Sequence, residues 1–206
     1  MSDRVFNYIS NWKKGWGMPI KRPKHLLIIG GGVFQVPAIK TAKSMGLKVA
    51  VTDYNPEAEG MLLADYPIEV STRNINLTVN TAKQFHSTCA LDGVMTVGTD
   101  ASQTVAAVAD ALGIPGIPFE VAERATDKIK MRQVLKEKGV PVPKFRPIWT
   151  LDECQEAVKH MPLPLVIKPC DNMGARGVRK IEGHDALIPA FREAKEASIS
   201  GKLILE

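Results

Sequence analysis

The chain has 206 residues, 45% of them hydrophobic and 24% charged, and these proportions exclude a largely disordered protein. Its net charge of +5 is mild and forms no dense basic stripe, which argues against nucleic acid as a partner. Three scattered cysteines argue against a disulfide framework or a zinc site, and the lack of a signal peptide or membrane-length apolar run predicts a cytoplasmic protein with no membrane partner.

Residues 1–23 form the first segment, which shows neither a helical nor a strand period. They carry Trp12 and Trp16, and we interpret them as an N-terminal arm. The simplest prediction is an extension packed on its own domain. The alternative is a contact with a partner or with a second copy of the chain through the two tryptophans, which leaves a homo-oligomer open.

Strands and helices alternate over residues 24–120. The apolar run HLLIIG predicts a parallel strand covered on both faces, GGG ends it, and VPAIKTAKSMG predicts a helix. The alternation continues with the strand LKVAVTD, then a turn of helix and a short third strand in EGMLLADYPIEV. The helix NLTVNTAKQFHS, the fourth strand LDGVMTVGTD and the helix ASQTVAAVADALG follow. This order predicts an α/β domain with an open, parallel, Rossmann-like sheet.

A segment rich in proline and glycine, GIPGIPFEVAERAT, predicts a domain boundary near residue 120. The second domain, residues 121–206, begins with the helix TDKIKMRQVLKEKG and continues with a helix over residues 151–161. PLVIK and GVRKI predict the two strands of a hairpin. KLILE predicts a last strand that would lie at a sheet edge without its neighbours.

The first glycine cluster, GGGVFQ, has three interpretations. Asp53 follows it at about the 20-residue distance of a ribose-binding acid, which raises an NAD-binding hypothesis, but Gln35 stands where the third glycine is needed. The cluster is equally typical of a plain strand-to-helix turn. In the third interpretation, the backbone amides of Gly31 and Gly32 hold an anionic substrate group.

Asp100 ends the fourth predicted strand, at the sheet edge where ligands collect in such domains. Its carboxylate could accept a hydrogen bond from an amine or a hydroxyl of a substrate. Capping the helix that follows is an equally good explanation.

The second glycine cluster follows a charged residue at the end of an apolar strand, in LPLVIKPCDNMGARGVRKI. Lys168 needs a counter-charge there, Gly174 and Gly177 allow a close approach of backbone amides to an anion, and Arg176 is a forked donor for phosphate. These features predict a mobile loop over bound phosphates. The alternative is a mobile hairpin turn with a lysine that reaches solvent.

Three stretches in this order, TDKIKMRQVLKEKGVPVPKF, PLVIKPCDNMGARGVRKI and LILE, resemble the ATP-grasp superfamily as it enters its nucleotide-binding domain. The upstream GGGVFQVPAIKTAKSMGLKVAVTDYNP and GTDASQTVAAVADALGIPG resemble the pre-ATP-grasp domain. The resemblance covers residues 24–206 and is to the branch of carbamoyl-phosphate synthetase, biotin carboxylase and glycinamide-ribonucleotide synthetase. It implies a Rossmann-like pre-ATP-grasp sheet followed by a partial α+β ATP-grasp domain.

The resemblance also implies roles for individual residues. Lys128 and Lys168 match lysines that contact the ATP phosphates, and Glu206 matches the acid beside the adenine amino group. Asn172, Gly174, Arg176 and Gly177 belong to the matching phosphate flap. On the upstream side, the acceptor substrate would face Gly31, Gly32, Gln35 and Asp100.

The activity implied by the resemblance is that of an ATP-dependent ligase that joins a small carboxylate to an amine through an acyl phosphate. Its Mg²⁺ ligands and catalytic residues would lie downstream of Glu206, so we expect no metal ligand and no catalytic residue in this chain. We therefore expect a truncated front part that binds ATP poorly and turns over nothing. The alternatives are an NAD(P)-binding Rossmann protein and a non-catalytic nucleotide-binding or scaffold module.

Overall fold

The computed structural model describes residues 22–206. The predicted N-terminal arm, with Trp12 and Trp16, lies outside the described residues except for its last two positions. In the part that is described, no helix combines the length and the hydrophobicity that crossing a membrane would require.

The first half of the molecule is built on a parallel sheet. Its strands are β1 (His25–Ile29), β2 (Lys48–Asp53), β3 (Tyr66–Glu69) and β4 (Leu91–Met95). The helices between and after them are α1 (Val36–Ser44), α2 (Glu59–Leu63), α3 (Ile75–Thr88) and α4 (Ser102–Leu112), with a short 3-10 turn at Val33–Gln35. The strand order is β3-β2-β1-β4, and every neighbouring pair is parallel. The predicted open parallel sheet is confirmed.

Helices on both faces of the sheet explain the unbroken apolar sequence of β1. Leu27 and Ile29 pack into the core that includes Ala82 of α3 and Val108 of α4. Ile28 points to the opposite core, where it joins Ile39 of α1 and residues of α2. Because successive side chains of a strand alternate between faces, a strand that is covered on both sides must be apolar at every position.

The second half is built on an antiparallel sheet. Its strands are β5 (Arg146–Ile148), β6 (Leu165–Pro169), β7 (Arg179–Ile181) and β8 (Leu203–Leu205). Its helices are α5 (Phe119–Thr126), α6 (Lys128–Glu137), α7 (Leu151–Lys159) and α8 (Leu187–Ala197). The strand order is β5-β8-β6-β7, and β6 and β7 form the predicted hairpin.

The prediction that the last strand lies at a sheet edge without its neighbours is wrong. β8 pairs with β5 on one side and with β6 on the other. All three of its residues are fully buried, with Leu203 and Leu205 in the core beneath α7 and α8 and Ile204 on the opposite face. The neighbours of β8 precede it in the chain, so its position at the end of the sequence does not expose it.

The segment predicted as a boundary rich in proline and glycine contains a helix, α5. Pro118 precedes its first turn, and the helix packs against α4. The Phe119 amide donates to Asp110, and Thr126 accepts a hydrogen bond from Gln103 at 2.7 Å. The predicted boundary at residue 120 therefore falls inside a packed helix, and the division of the chain into two domains there stays a prediction.

The central place of β8 can be tested by truncating one of its side chains. Ile204 is fully buried against Ile129, Cys170 and Phe145, so Ile204→Ala leaves a cavity and should lower the free energy of unfolding by about 2–5 kcal/mol. Ile199→Ala is the matched control, because Ile199 is 61% exposed. Urea denaturation of both variants measures the difference, and equal effects would contradict the central position of β8.

Candidate functional site

The antiparallel pairing of β6 with β8 places Lys168 and Glu206 on one face of the sheet. Lys168 lies opposite Ile204, and the backbone of Glu206 exchanges hydrogen bonds of 2.7 and 2.8 Å with Val166. Residues two apart along a strand share a face, so the two charged side chains lie diagonally across the pair on the face that carries Ile204. This face is covered by α6, whose Ile129 packs on Ile204.

One carboxylate at this face is shared by two cations. Glu206 accepts a hydrogen bond from the Lys168 ammonium through one oxygen and from Arg132 Nε at 2.7 Å through the other. The Glu206 side chain is only 9% exposed. Glu206 is therefore a counter-charge of Lys168 in the structure, and the predicted contact of Lys168 with phosphate stays a prediction.

The partners of Glu206 decide its charge. Burial by itself raises the pKa of this carboxyl group, but the hydrogen bonds and positive charges of Lys168 and Arg132 outweigh burial and hold the pKa below its ordinary value of 4.5. Glu206 is therefore ionised near neutral pH. A carboxylate with two cationic donors connects α6, β6 and the residue after β8.

Lys128 approaches the same place from the first turn of α6. Its backbone amide donates to the Cys170 carbonyl at 3.2 Å, and its ammonium donates to the Asn172 carbonyl at 2.6 Å. Asp127 caps the helix by accepting from two backbone amides, which fixes the start of α6 beside the end of β6. Arg132 is four residues further along, on the same side of the helix as Lys128.

The two lysines at this site lie close enough to affect each other's charge. Burial lowers the pKa of Lys128, and the neighbouring charge of Lys168 lowers it further, although Asp171 and Asp127 act in the opposite direction. Among Lys128, Arg132 and Lys168, only the last two share a carboxylate. A bound anion with several negative charges would relieve the repulsion between the two lysines.

The glycine loop between β6 and β7 is anchored at its base. The Asp171 carboxylate accepts from the Ser198 hydroxyl at 3.0 Å and from the Ile199 amide at 3.2 Å, just beyond α8. Asn172 donates from its side-chain amide to the Ala197 carbonyl at 2.8 Å. The base of the loop is therefore tied to the end of α8, while the residues that follow project from it.

The two glycines of this loop serve different purposes. Gly174 has a φ of 67° and open space around it, so the backbone conformation alone explains the glycine. Gly177 has a φ of 71°, and a Cβ atom there would lie 2.5 Å from the Cβ of Ala197. Gly177 thus lets the returning chain pass close against α8.

Arg176, at the tip of the loop, contacts a residue of the parallel sheet. Its Nη2 lies 2.9 Å from Asp100 Oδ2, and its Nε donates to the Met173 carbonyl at 3.1 Å. The interpretation of Asp100 as a helix cap is wrong, because Ala101 is the N-cap of α4 and receives no side-chain capping bond. Two residues predicted for two different sites therefore form one ion pair between the two sheets.

The first glycine turn is held by Asp53. One carboxylate oxygen accepts from the Gly31 amide at 2.8 Å and the other from the Asn55 amide at 3.0 Å. Gln35 is buried and donates its side-chain amide to the Val97 carbonyl. Both oxygens of the candidate ribose-binding acid thus accept hydrogen bonds inside the turn, which weakens the support for a dinucleotide site.

A pocket of about 540 Å³ opens above this turn, at the carboxyl ends of all four parallel strands. Of the predicted substrate residues, Gly32 and Gln35 line it, whereas the Gly31 amide faces Asp53 and Asp100 is engaged by Arg176. The substrate roles of these four residues stay a prediction. The residues that line the pocket are Gly30, Gly32, Phe34, Gln35, Asp53, Tyr54, Ser71, Thr72, Arg73, Gly98 and Thr99.

The sequence did not indicate Arg132, Asp171 or Arg73. For Arg132 a signal was present, since it follows Lys128 by four residues in a predicted helix and so shares its face. Arg73 carried a weaker signal, because it comes shortly after the third strand of a parallel sheet. Asp171 gave no signal, since its partners lie 27 to 29 residues away.

The described residues bring together no group of three or more histidine, cysteine, aspartate or glutamate side chains that could hold a metal ion. The donor set that Mg²⁺ prefers, several carboxylate or amide oxygens, is therefore not assembled by residues 22–206. We assign no metal ligand in this range.

Comparison with known families divides the chain in the same way as its two sheets. The family described as "Alanine dehydrogenase/PNT, C-terminal domain" matches residues 16–109. The family described as "ATP-grasp domain" matches residues 125–204. The second match includes Lys128, Lys168 and the glycine loop.

Individual proteins also match. A D-alanine–D-alanine ligase of Ectopseudomonas mendocina is 30% identical over 84 residues, which cover 38% of this chain and 27% of the ligase. The crystal structure of the L-amino acid ligase from Bacillus licheniformis superposes with a TM-score of 0.69 at 25% identity, over 90% of this chain and 44% of that protein.

A third match shows the fold alone. The biotin carboxylase domain of the Hydrogenobacter thermophilus 2-oxoglutarate carboxylase, solved with MgADP and bicarbonate, superposes with a TM-score of 0.68 at 20% identity. It covers 89% of this chain and 44% of that protein. The chain thus spans less than half the length of each of these three proteins.

The shared carboxylate makes the stability of the protein depend on pH. Because its pKa is lowered in the folded state, Glu206 stabilises the fold at pH values above its ordinary pKa, and this contribution is lost as the pH falls through the lowered value. Glu206→Gln should therefore lower the free energy of unfolding at pH 7 by about 1.5–3 kcal/mol, and the difference from the wild type should shrink toward pH 3.

The control for this prediction is Glu193→Gln, since Glu193 pairs with Arg179 at the surface. This substitution should lower the free energy of unfolding by less than about 1 kcal/mol. Urea denaturation across the pH range measures both variants. A difference between wild type and Glu206→Gln that does not vary with pH would contradict the charged state assigned to Glu206.

The two loop glycines give a second, matched test. Gly177→Ala combines left-handed backbone strain with a clash against Ala197, and it should lower the free energy of unfolding by about 2–4 kcal/mol. Gly174→Ala introduces the backbone strain alone and should lower it by about 1–2 kcal/mol. Thermal unfolding of the two variants measures the difference. If Gly174→Ala destabilises as much as Gly177→Ala, the packing role of Gly177 is wrong.

Proposed function

We propose that this chain, which belongs to the ATP-grasp superfamily, binds the phosphates of ATP between α6 and the glycine loop as part of a ligase that joins a carboxylate to an amine. The observation that carries the proposal is the convergence of Lys128 and Lys168 on the base of the glycine loop. Both lysines are partly buried; Lys168 shares the Glu206 carboxylate with Arg132, whereas Lys128 donates to backbone carbonyls and forms no ion pair within residues 22–206. Phosphate oxygens would supply the missing negative charge.

The residues of this chain would divide the work of binding. Lys128 and Lys168 would meet the phosphate chain, and the loop from Asn172 to Gly177 would cover it, since its base is anchored and its tip projects. Glu206 would orient Lys168 and would lie beside the adenine amino group. ATP supplies a phosphoryl group that activates a carboxylate, which an amine then attacks as phosphate leaves.

Magnesium belongs to the proposed cofactor set, because nucleoside triphosphates are commonly bound with Mg²⁺ on their phosphates. The similar biotin carboxylase domain was also solved with MgADP. Residues 22–206 hold no acidic cluster that fits the ion. We therefore derive no step through magnesium, and the activity of the whole ligase and the identity of its carboxylate and amine are proposals.

The rival interpretation as an NAD(P)-binding protein is not favoured. Each oxygen of Asp53 already accepts a backbone amide, at 2.8 and 3.0 Å, which leaves fewer acceptor positions for the sugar hydroxyls of a dinucleotide. Gln35 also occupies the space beside Gly30, where an added Cβ would lie 3.2 Å from its side-chain nitrogen.

A titration with a fluorescent ATP analogue in the presence of Mg²⁺ tests the proposal. We expect weak, saturable binding that unlabelled ATP reverses and NAD does not, and Lys168→Ala should weaken it by about tenfold or more, because a charge-assisted bond to phosphate is lost. Absence of saturable binding would refute the phosphate site. The control is Lys159→Ala, since Lys159 is exposed on α7, on the opposite face of the sheet. Reversal by NAD, or equal affinities of Lys168→Ala and wild type, would refute it.

A further inference from the structure

The pocket at the carboxyl ends of the parallel strands has a chemistry that goes beyond the proposed ATP site. Its volume of about 540 Å³ falls within the range of small-molecule pockets, about 300–1,000 Å³. The pocket is built from loops that follow all four strands of the sheet. Three features of its wall define what it can bind.

The first feature is an uncompensated cation. Arg73 lies exposed at the wall of the pocket and forms no ion pair with any residue in the range 22–206. The acid at the same wall, Asp53, has both oxygens engaged by backbone amides. The guanidinium therefore remains available as a forked donor, and its geometry matches a carboxylate.

The second feature is a hydrogen-bond acceptor. Gln35 is 3% exposed, and its Nε2 donates to Val97. Its Oε1 lies toward Gly32, 3.5 Å from where a Cβ would be, and accepts no hydrogen bond from the described residues. Since Nε2 is held by Val97, the amide cannot turn over, and Oε1 is fixed as an acceptor suited to an ammonium group.

The third feature is a pair of exposed aromatic rings. Phe34 and Tyr54 both line the pocket, and they are 70% and 73% exposed. Gly98 allows Phe34 to sit where it does, because a Cβ at Gly98 would lie 3.1 Å from Phe34 Cβ. Two rings left largely in water beside a polar floor suit an apolar or aromatic group of a ligand, which would cover them.

We propose that this pocket binds an α-amino acid with an apolar or aromatic side chain. Arg73 holds the carboxylate, Gln35 Oε1 accepts from the ammonium, and the side chain lies against Phe34 and Tyr54. The inference rests on the proposed function and deepens it, since it names the substrate class of the acceptor site.

The arrangement also sets the direction of the amino acid. Gln35 lies beside Thr99, because a Cβ at Gly30 would be within 3.3 Å of both side chains. Thr99 precedes Asp100, whose carboxylate bonds the loop residue Arg176 at 2.9 Å. In the proposed orientation, the amine end of the ligand lies on the side of the pocket that leads through Thr99 and Asp100 to the glycine loop. The amino acid would accordingly supply the amine of the ligation.

Calorimetric titration of the chain without nucleotide tests the inference. The probes are L-phenylalanine, 3-phenylpropionate, which lacks the ammonium group, and 2-phenylethylamine, which lacks the carboxylate. We expect saturable binding of L-phenylalanine and a loss of about tenfold or more in affinity for each analogue. Arg73→Ala should lower the affinity for L-phenylalanine by a similar factor. Arg192→Ala, at an exposed position of α8, should leave this affinity unchanged.

Each other outcome overturns the inference. Absence of saturable binding refutes the amino acid as ligand, and equal binding of 3-phenylpropionate reduces the ligand to a simple aromatic carboxylate. An unchanged affinity in Arg73→Ala refutes the carboxylate anchor. Lys168→Ala should bind L-phenylalanine as the wild type does, because Lys168 is assigned to the ATP site. If the wild-type chain binds L-phenylalanine but not ATP, the proposed function is overturned and the amino acid site is not.

Discussion

The shared carboxylate of Glu206 is the interaction on which the candidate site depends. It joins Arg132 on α6, Lys168 on β6 and the end of β8, three elements that are distant in the chain. Removing one partner of a buried charge group leaves the others uncompensated, at a cost far above that of a surface pair. The triad therefore holds Lys168 in place and keeps α6 against the sheet, and with α6 it positions Lys128 at the base of the glycine loop.

The ion pair of Arg176 with Asp100 is one of the contacts between the two halves of the molecule. One partner is at the tip of a loop whose base is tied to α8, and the other follows a strand that ends beside the pocket of the parallel sheet. In the proposed function, a nucleotide lies at one end of this connection and an acceptor at the other. Because both side chains remain partly exposed, the pair can exchange for other partners at little cost.

Glycine is required for a different physical reason at Gly31, Gly174 and Gly177. Gly31 approaches α2 so closely that a Cβ would lie 2.9 Å from Met61, and its amide is held by Asp53. Gly177 passes close to α8, and Gly174 needs only its left-handed backbone. The sequence shows only that glycine is present at all three positions. A glycine cluster alone therefore does not distinguish a ligand-binding loop from close packing of the backbone.

The sequence by itself determined the parallel sheet, the hairpin of β6 and β7, and the order of motifs that place Lys128 and Lys168 near each other. The sheet and the hairpin follow from local periodicity and spacing, which act over a few residues, whereas the common role of the two lysines was implied by the family resemblance. Only the tertiary structure decided that β8 is central, that Glu206 is shared by Arg132 and Lys168, and that Arg176 reaches Asp100. These contacts join residues 38 to 76 positions apart, and pairing at such separations depends on how whole elements pack. Arg73 and Gln35 likewise come to one pocket only because four parallel strands end at one edge.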